Sequence, residues 1–239
     1  MTSRPIVLVT GAAKRVGRSI AIRLAREGFQ VAIHYNGSRP EAEATAAECG
    51  GAELFQANLE SVAEIRQMFA DVESRLGRLD CLVNNAARFT RFDPLDITES
   101  DWDFIHSVNL KATFFSCQQA AKLMMKQDSG RIVNISSLGG IRPWPDHAHY
   151  CAAKAGVIHM TRALAVAWAP KITVNSVAPG VIPFGEEKTN PNVQALIART
   201  PAGRQGSGDE IAKAVLNFLQ ASEYVTGQIL AVDGGLGLT

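Results

Sequence analysis

The stretch Ile6-Val7-Leu8-Val9-Thr10-Gly11-Ala12-Ala13-Lys14-Arg15-Val16-Gly17 decides the fold of this chain. It opens on four apolar residues, a run typical of a strand that is buried on both faces of a parallel sheet. Apolar residues then recur at every fourth position, at Val16, Ile20 and Leu24, which predicts an amphipathic helix. Gly11 lies between the two segments, where its freedom to adopt a positive φ permits a tight turn. The stretch therefore predicts a strand, a turn and a helix in close succession.

The same alternation continues along the rest of the chain. Short apolar runs predict strands at Ile6–Thr10, Gln30–His34, Glu53–Gln56, Cys81–Val83, Arg131–Ile135, Thr173–Val177 and Ile229–Val232. Longer segments with helical periodicity follow, at Ala42–Gly50, Val62–Leu76, Glu99–Lys126, Tyr150–Ala169 and Asp209–Gln220. Repeated strand–helix alternation implies right-handed crossovers between parallel strands. We therefore expect an α/β fold, a Rossmann-type doubly wound sheet of about seven parallel strands with helices on both faces.

The pattern accounts for residues 1–239 as a single domain, because it contains neither an internal repeat nor a linker. A single α/β domain often reaches ~250 residues. The longest stretch without strand or helix periodicity is Gly180–Gly208, which is rich in Gly and Pro. An irregular segment of that length in a compact domain is typically functional. We expect this segment to form a lid over the substrate.

Composition excludes several classes of function. Apolar residues make up 46% of the chain and charged residues 20%, with a net charge of +1, which is typical of a globular protein and not of a disordered one. Because the charge is nearly balanced, the basic residues Lys14, Arg15 and Arg18 do not predict a nucleic-acid partner. The four cysteines lack the clustered spacing of a disulfide framework or a zinc site, so no metal is expected.

The sequence also bears on localisation. Met1–Pro5 leads directly into the first apolar run, which leaves no room for the apolar region and cleavage site of a signal peptide. No apolar run approaches the ~18–20 residues that a membrane-spanning helix needs. We therefore expect a cytoplasmic protein without a membrane partner.

The turn after the first strand has the features of a phosphate site. Small residues let the backbone approach a pyrophosphate there, and the following helix presents unpaired N–H groups and the positive end of its dipole. A pocket that selects NAD places Asp or Glu ~20 residues further on, to bind the ribose 2′-hydroxyl. The segment His34–Arg39 contains no acid. In contrast, Lys14 and Arg15 supply cations, and the Arg15 guanidinium can bind a phosphate bidentately. These features favour NADP(H) as the cofactor.

Three later segments carry groups for acid–base chemistry. Asn84-Asn85-Ala86-Ala87 follows the fourth predicted strand, and Asn134-Ile135-Ser136-Ser137 ends the fifth. Tyr150 and Lys154 open the next predicted helix, where their i, i+4 spacing places both on one face. A free tyrosine has a pKa of ~10, and a nearby lysine cation favours its phenolate. We therefore expect Lys154 to lower the pKa of Tyr150 toward the operating pH, and a serine hydroxyl beside it, that of Ser137, to hold the substrate oxygen.

These motifs resemble those of the short-chain dehydrogenase/reductase family. The resemblance covers essentially the whole chain and rests on Thr10-Gly11…Gly17, Asn84-Asn85-Ala86, Asn109, Ser137…Tyr150…Lys154, Pro179-Gly180 and Val225-Thr226-Gly227-Gln228…Val232-Asp233-Gly234-Gly235. It implies that Tyr150 donates a proton to a substrate whose carbon accepts hydride from the nicotinamide. It also implies that Lys154 binds the nicotinamide ribose and that Ser137 orients the substrate. Asn109, a poor helix former in the middle of a predicted helix, would join a proton-relay water chain.

Within the family, the chain is similar to the pteridine reductase-like branch. The similarity lies in Thr10–Ser19, Ile33–Tyr35 and Asn84–Phe89. In that branch an arginine and a His-Tyr-x-x-Ser stretch bind the 2′-phosphate, and an aromatic ring holds a pterin against the nicotinamide. The phosphate role would fall to Arg15, His34, Tyr35 and Ser38, and the aromatic role to Phe89.

The resemblance implies a full set of contacts. Ile182 and Phe184 replace the threonine that many family members use to hold the carboxamide. The implied cofactor contacts are Gly11, Arg15, Val16, Gly17, His34, Tyr35, Asn36, Ser38, Asn58, Leu59, Asn85, Ala86, Ala87, Lys154, Pro179, Gly180 and Ile182. The implied substrate contacts are Phe89, Ser137, Tyr150 and Phe184.

The motifs together favour an NADPH-dependent reductase of a small carbonyl or pterin-type substrate. A reductase of 3-oxoacyl thioesters is an alternative with the same chemistry. A non-catalytic dinucleotide sensor is an alternative of another class, because a fold does not imply a function. The family resemblance implies a tetramer that forms through the helices Glu99–Lys126 and Tyr150–Ala169. Both helices carry more apolar residues than one buried stripe requires, as a two-fold contact would need. We therefore expect a homotetramer, with a dimer as second choice.

Overall fold

The structure is a computed structural model that describes residues 4–239. Its strands are β1 (Ile6–Val9), β2 (Gln30–Tyr35), β3 (Glu53–Gln56), β4 (Cys81–Asn84), β5 (Gly130–Ile135), β6 (Ile172–Pro179) and β7 (Ile229–Val232). They form one seven-stranded sheet in the order β3-β2-β1-β4-β5-β6-β7. Every neighbouring pair is parallel. The expected fold class is therefore confirmed.

Helices cover both faces of this sheet. They are α1 (Arg15–Arg26), α2 (Arg39–Glu48), α3 (Val62–Leu76), α4 (Glu99–His106), α5 (Thr113–Lys126), α6 (Ala148–Trp168), α7 (Pro191–Arg199) and α8 (Gly208–Gln220). One apolar core lies between the sheet and α1, α2 and α8, and a second lies between the sheet and α3, α5 and α6. Because successive side chains of a strand point to opposite faces, Val7 enters the first core and Leu8 the second.

The strand order reverses between β1 and β4. Val9 of β1 is paired with Ile33 of β2 on one side and with Val83 of β4 on the other. The chain runs outward from β1 toward β3 and then returns to continue from β4 toward β7. In open α/β sheets this reversal opens a crevice beyond the carboxyl ends of the strands, where ligands bind. The loops that follow β1 and β4 border that crevice.

The predicted strands agree with the structure to within two residues at each end. The helix predicted at Ala42–Gly50 begins earlier, at Arg39, because Pro40 is favourable in a first helical turn. The single helix predicted at Glu99–Lys126 is interrupted, since a π-helical segment, Ser107–Ala112, lies between α4 and α5.

The lid segment, Gly180–Gly208, is wrongly predicted to be irregular. It contains a short 3₁₀ turn at Gly185–Thr189 and then α7. Pro191 occupies the first position of α7, where its missing N–H costs nothing. The Asn190 side chain accepts a hydrogen bond from the backbone of Asn192 at 2.9 Å, which caps the helix. None of the residues of α7 is buried, so this helix rests on the surface of the molecule.

Within residues 4–239, no helix is long and apolar enough to cross a bilayer. Over the same range, no group of three or more His, Cys, Asp or Glu side chains has an arrangement suited to a metal ion. The N-terminal expectation rests partly on Met1–Ser3, which lie outside the described residues.

Candidate active site

The first turn and the loop after β4 touch each other where the strand order reverses. Gly11 has a φ of +63°, and a Cβ atom there would lie 2.9 Å from Cα of Ala86. A Cβ atom on Gly17 would lie 2.5 Å from Nδ2 of Asn85. Asn85 Nδ2 donates to the Thr10 carbonyl at 3.0 Å, and the Ala86 N–H donates to the Thr10 hydroxyl at 3.1 Å. Only glycine fits at positions 11 and 17, so the backbone itself forms a cradle at the start of α1.

The other backbone segments of the expected cofactor site lie at the same edge of the sheet. Ala87 is exposed, and the half-buried residues of this set are Val16, Asn58, Asn85, Ala86, Pro179, Gly180 and Ile182. Leu59 is buried. The Asn58 side chain accepts a hydrogen bond from the Glu60 backbone at 3.1 Å. A close-packed turn at a helix N-terminus, flanked by the ends of β3, β4 and β6, fits a dinucleotide.

His34 and Tyr35 are both buried at the end of β2. The Nδ1 atom of His34 accepts a hydrogen bond from the Gly11 N–H at 3.0 Å, and its Nε2 atom bonds to the Ala57 carbonyl at 3.1 Å. Burial lowers the pKa of His34 to about 4, so the ring is neutral. Tyr35 packs in the first core. Backbone groups thus use both ring nitrogens of His34, and the phosphate contact expected of these two residues stays a prediction.

Asn36 and Ser38 reach the surface just after β2. Asn36 is exposed, and Ser38 is half-buried directly before α2. In the part of the chain that the structure describes, the Ser38 side chain makes no capping bond to α2. Its hydroxyl group therefore stays available to a ligand at this end of the site.

Arg15 and Lys14 point to opposite sides of the first turn. Arg15 has a φ of +57°, a left-handed conformation that is uncommon for a residue other than glycine. Its guanidinium lies 2.7 Å from the Glu187 carboxylate and 5.3 Å from the centre of the Phe184 ring. Lys14 Nζ lies 3.4 Å from the carboxylate of Glu41 on α2. The sequence predicts that Arg15 binds the 2′-phosphate. In the structure, Lys14 is the cation that points toward the segment between β2 and α2.

Ser137 and Tyr150 are brought together beyond the end of β5. Both residues are buried. Ser137 lies two residues after β5, and its hydroxyl accepts a hydrogen bond from the Gly139 N–H at 3.0 Å. Tyr150 lies in the first turn of α6. Burial raises the pKa of Tyr150 to about 12, and a hydrogen bond with the Ser137 side chain acts in the opposite direction. The tyrosine therefore keeps its proton at neutral pH.

Lys154 lies one helical turn after Tyr150 and is also buried. Its Nζ donates to the Ile135 carbonyl at 2.8 Å and lies 5.9 Å from the centre of the Tyr150 ring. Burial lowers the pKa of Lys154 to about 8. The expectation that Lys154 lowers the pKa of Tyr150 is thus not met in this structure, because burial dominates the tyrosine and the ammonium group bonds to a carbonyl instead.

Asn109 lies in the π-helical segment and is completely buried. Its Oδ1 accepts from the Arg88 N–H at 2.7 Å, and its Nδ2 donates to the Arg88 carbonyl at 2.8 Å. The side chain thus fixes the backbone of the loop that follows β4. A single-turn π-helix often marks a functional site. The poor helix propensity of Asn, noted in the sequence, was the only signal of this irregularity.

Phe89 lies beside Tyr150. Its ring is 60% exposed and stands edge-on to the Tyr150 ring, with a centroid distance of 4.8 Å. It stacks on His147 at 4.7 Å and meets Trp144 at 6.5 Å. The sequence pattern predicts no role for His147 or Trp144. Only their nearness to Tyr150 in the chain could have indicated that they belong to this site. The rings of Phe89, Trp144, His147 and Tyr150 together form an aromatic wall.

Comparison with known proteins agrees with this architecture. A family model described as enoyl-(acyl carrier protein) reductase matches residues 11–237. The 3-oxoacyl-[acyl-carrier-protein] reductase of Staphylococcus aureus is 41% identical over 239 residues, which cover 96% of each chain. The enzyme of the same name from Thermotoga maritima is 37% identical over 240 residues, which cover 97% of each chain.

Solved structures show the same fold over the whole length. The acetoin dehydrogenase of Enterobacter cloacae superposes with a TM-score of 0.91 at 32% identity, covering 100% of this chain and 97% of that one. The acetoin dehydrogenase of Salmonella typhimurium gives a TM-score of 0.88 at 32% identity, covering 99% and 97%. None of these four relatives is named a pteridine reductase, so that branch is not shown. The family is shown, and this chain belongs to the short-chain dehydrogenase/reductase family.

Proposed function

We propose that this protein is an NADP(H)-dependent reductase that converts a substrate carbonyl group to an alcohol. The observation that carries the proposal is the meeting of the Ser137 and Tyr150 side chains beyond β5, with Lys154 one turn further along α6. When bound, the dinucleotide supplies the hydride that reaches the carbonyl carbon. Tyr150 supplies the proton that the carbonyl oxygen needs, so its O–H bond breaks as the O–H bond of the alcohol forms.

The environment of Tyr150 suits a proton donor. Its pKa of about 12 means that the phenol carries its proton throughout the neutral range. Ser137 lies beside it and can donate a hydrogen bond to the same carbonyl oxygen, which orients the substrate and stabilises developing negative charge. Lys154 has a pKa of about 8, so its ammonium group exchanges protons near neutral pH. We assign to Lys154 the return of a proton to this site and the ribose contact.

The preference for NADP(H) rests on the two cations of the first turn. Lys14 and Arg15 are each about half exposed and each paired with one carboxylate. A phosphate group can replace such a carboxylate as partner, and its bonds with cations are charge-assisted. Lys14 and Ser38 are the proposed partners of a 2′-phosphate, since both lie toward α2. Arg15 is the proposed partner of an anionic group on the lid side.

A 3-oxoacyl thioester is the leading candidate substrate. The support comes from the relatives that carry this name at 41% and 37% identity over nearly the whole chain. The activity would reduce the 3-oxo group to a hydroxyl group, which needs only the proton donor and hydride path described above. This candidate was the alternative that the sequence left open.

A flat conjugated ring, such as a pterin, is the second candidate. Here the hydride would add to the carbon of a ring C=N bond and Tyr150 would protonate the nitrogen. The observation that favours this candidate is Phe89, whose exposed ring stands beside Tyr150. Aromatic rings stack on flat conjugated groups with ~0.5–1.5 kcal/mol beyond simple burial. An acyl chain would pack on the same ring without that directional contact. A flat substrate would therefore make a directional contact with the aromatic wall that an acyl chain would not make.

Oxidation of NADPH in the presence of defined carbonyl and pterin compounds tests the proposal. The probes are acetoacetyl-coenzyme A, dihydrobiopterin, folate and simple diketones, each measured with the wild type and with Tyr150→Phe. Turnover of at least one probe that is lost in the variant supports a reductase, and the preferred probe decides between the two substrates. Binding of NADPH without turnover of any probe would overturn the proposal in favour of a dinucleotide sensor.

A further inference from the structure

The loop after β4 is hydrogen-bonded to the segment that leads into α6. We call the part of this loop at Arg88–Phe92 the strap, and it runs alongside Trp144–Tyr150. Arg91 Nε donates to the Asp146 carboxylate at 2.9 Å, and the Phe92 N–H donates to the Asp146 carbonyl at 3.0 Å. Both of these bonds lie on the exposed side of the strap. They hold the two segments together at the surface.

A second fastening lies on the buried side of the strap. The Thr90 hydroxyl and His149 Nε2 are 2.7 Å apart, and the His149 ring is completely buried. Within residues 4–239, the other ring nitrogen of His149 has no hydrogen-bond partner, so the Thr90 bond is the polar contact that secures this ring. Burial lowers the pKa of His149, which keeps the imidazole neutral. Loss of a buried hydrogen bond of this kind is destabilising, because the polar group that loses its partner cannot form a hydrogen bond with water instead.

The two residues of this bond are the chain neighbours of the two facing rings. Thr90 follows Phe89, and His149 precedes Tyr150. A bond between these neighbours therefore holds together the two backbone segments that carry the rings. Phe89 needs such support, because a ring that is 60% exposed is not held in place by burial. Its contacts with Tyr150 and His147 then become a fixed feature of the site.

We propose that Thr90 and His149 form a positioning pair that holds Phe89 against Tyr150 and so sets which substrates bind productively. The proposal rests on the proposed function, since it assumes that a carbonyl substrate binds beside Tyr150. The pair acts through Phe89 and does not touch the reacting atoms. It contributes to substrate binding through the aromatic wall, while the proton remains with Tyr150 and Ser137.

Thr90→Val removes the hydroxyl group and keeps the shape of the side chain. We expect KM for the preferred carbonyl probe to rise about three- to tenfold, the size of one lost aromatic contact. The kcat value and the affinity for NADPH should stay within about twofold of wild type, because loss of a binding contact affects substrate affinity rather than the chemical step. Thr90→Ser restores the hydroxyl group and should restore KM. A Thr90→Val enzyme with wild-type KM would overturn the proposal.

A double-mutant cycle separates positioning from a general structural role. Phe89→Ala should raise KM at least as much as Thr90→Val does. If the pair acts through Phe89, Thr90→Val should cause no further rise in KM in the Phe89→Ala background. Additive effects would show that Thr90 acts independently of the ring and would contradict the proposal. Two His149 variants repeat the comparison. His149→Leu should raise KM as Thr90→Val does. His149→Gln, which keeps a polar group near the Nε2 position, should preserve KM as Thr90→Ser does.

A measurement without substrate distinguishes this proposal from the proposed function. Nuclear Overhauser effects between the rings of Phe89 and Tyr150 can be recorded in protein with labelled phenylalanine and tyrosine. We expect them in the wild type and in Thr90→Ser, and we expect them to weaken in Thr90→Val. If they persist unchanged in Thr90→Val, the positioning role is wrong whether or not the enzyme turns over. If they weaken while no probe is reduced, the pair holds the ring and only the proposed function fails.

Discussion

The guanidinium of Arg15 lies 2.7 Å from the carboxylate of Glu187, which links the first turn to the lid segment. Both side chains are about half exposed, and ion pairs at such exposure contribute only ~0–1 kcal/mol. The link is therefore weak enough for an incoming anion to replace it. Arg15 lies in the first turn, between Gly11 and Gly17. If a dinucleotide binds there as proposed, we expect it to compete with Glu187 for this cation.

Removing the lid carboxylate should therefore tighten cofactor binding. We expect Glu187→Gln to lower the Kd for NADPH about two- to fivefold, since an exposed ion pair of ~0.2–1 kcal/mol no longer has to be broken. Calorimetric titration measures this Kd directly. Glu186→Gln is the matched control, because Glu186 is its exposed neighbour on the lid and forms no ion pair within residues 4–239. An unchanged or weaker affinity in Glu187→Gln would contradict competition for Arg15.

The two cations of the first turn should differ in their effect on cofactor choice. Loss of a charge-assisted bond to a 2′-phosphate costs ~1.5–3 kcal/mol, or roughly ten- to a hundredfold in affinity. We expect Lys14→Met to weaken NADPH by that factor and to leave NADH nearly unchanged. Arg15→Met should weaken both cofactors by a similar factor, because its side chain lies on the lid side. Titration of each variant with both cofactors tests the assignment, and a selective loss of NADPH in Arg15→Met would return the 2′-phosphate to Arg15.

The sequence predicts the central strands well because they are buried on both faces. Every residue of β1 and β4 is buried, and such strands appear as continuous apolar runs. The edge strands β3 and β7 are partly exposed, yet their bounds agree with the prediction to the residue. Helix α7 is missed because Pro191 and the glycines around it are typical of irregular chain. Its residues make no buried contacts, so the apolar periodicity that reveals other helices is weak there.

The candidate catalytic residues could be predicted from spacing, whereas their pKa values could not. The i, i+4 spacing placed Tyr150 and Lys154 on one helical face, and both face the end of β5. Spacing does not report burial, however, and burial sets the pKa of each group. Spacing in the sequence does not report the direction of a side chain either. Lys14 and Arg15 are neighbours in the chain, yet the positive φ of Arg15 sends its side chain toward the lid.

Removing the phenolic hydroxyl of Tyr150 should separate chemistry from binding. We expect Tyr150→Phe to bind NADPH with unchanged Kd and to lose ~10²–10⁴-fold in kcat, the usual contribution of a positioned general acid. Steady-state rates with the preferred probe and a parallel titration with NADPH give both quantities. Near-normal turnover in the variant would show that another group donates the proton.

The buried lysine should make stability depend on pH. The pKa of Lys154 is about 8 in the folded protein and ~10.4 for an unperturbed lysine. Between these values Lys154 binds more protons in the unfolded chain than in the folded chain, so its own contribution to the free energy of unfolding should rise as the pH increases from about 8 toward 10. Burial raises the pKa of Tyr150, Cys81 and Cys117 to about 12, so these groups have the opposite effect above their ordinary pKa values of ~10 for tyrosine and ~8.5 for cysteine.

Chemical denaturation at pH 8, 9 and 10 isolates the contribution of the lysine as a difference between variants. The free energy of unfolding of the wild type minus that of Lys154→Met should rise over this range, because only the wild type has a lysine at the buried position. Lys111→Met, which removes an exposed lysine, should keep the pH dependence of the wild type. If Lys154→Met and the wild type show the same pH dependence, the depressed pKa of Lys154 is not the cause.

The outer faces of α5 and α6 leave apolar surface uncovered. Met124 and Val157, which were expected to contribute to an outer apolar face, are buried in the chain's own interior. In their place Val166 is 83% exposed and Phe114 is 36% exposed. A groove of about 560 Å³ lies on the same side, with Leu110 and Phe114 in its lining. We propose that a second copy of the chain covers this surface through a two-fold contact, as isologous interfaces do.

Light scattering tests this assembly at micromolar concentration. We expect a particle of four chains, each of 25.7 kDa, with a dimer as the second choice. Val166→Glu should lower the mass, because a charge in the centre of a two-fold contact faces its own copy and loses hydration. Ala44→Glu places the same charge on exposed α2, on the other face of the sheet, and should leave the mass unchanged. If the contact stabilises the fold, the Tm of the wild type should fall with dilution, and the Tm of Val166→Glu should be lower and independent of concentration. A wild-type mass near 25.7 kDa would show instead that each chain satisfies these helix faces alone.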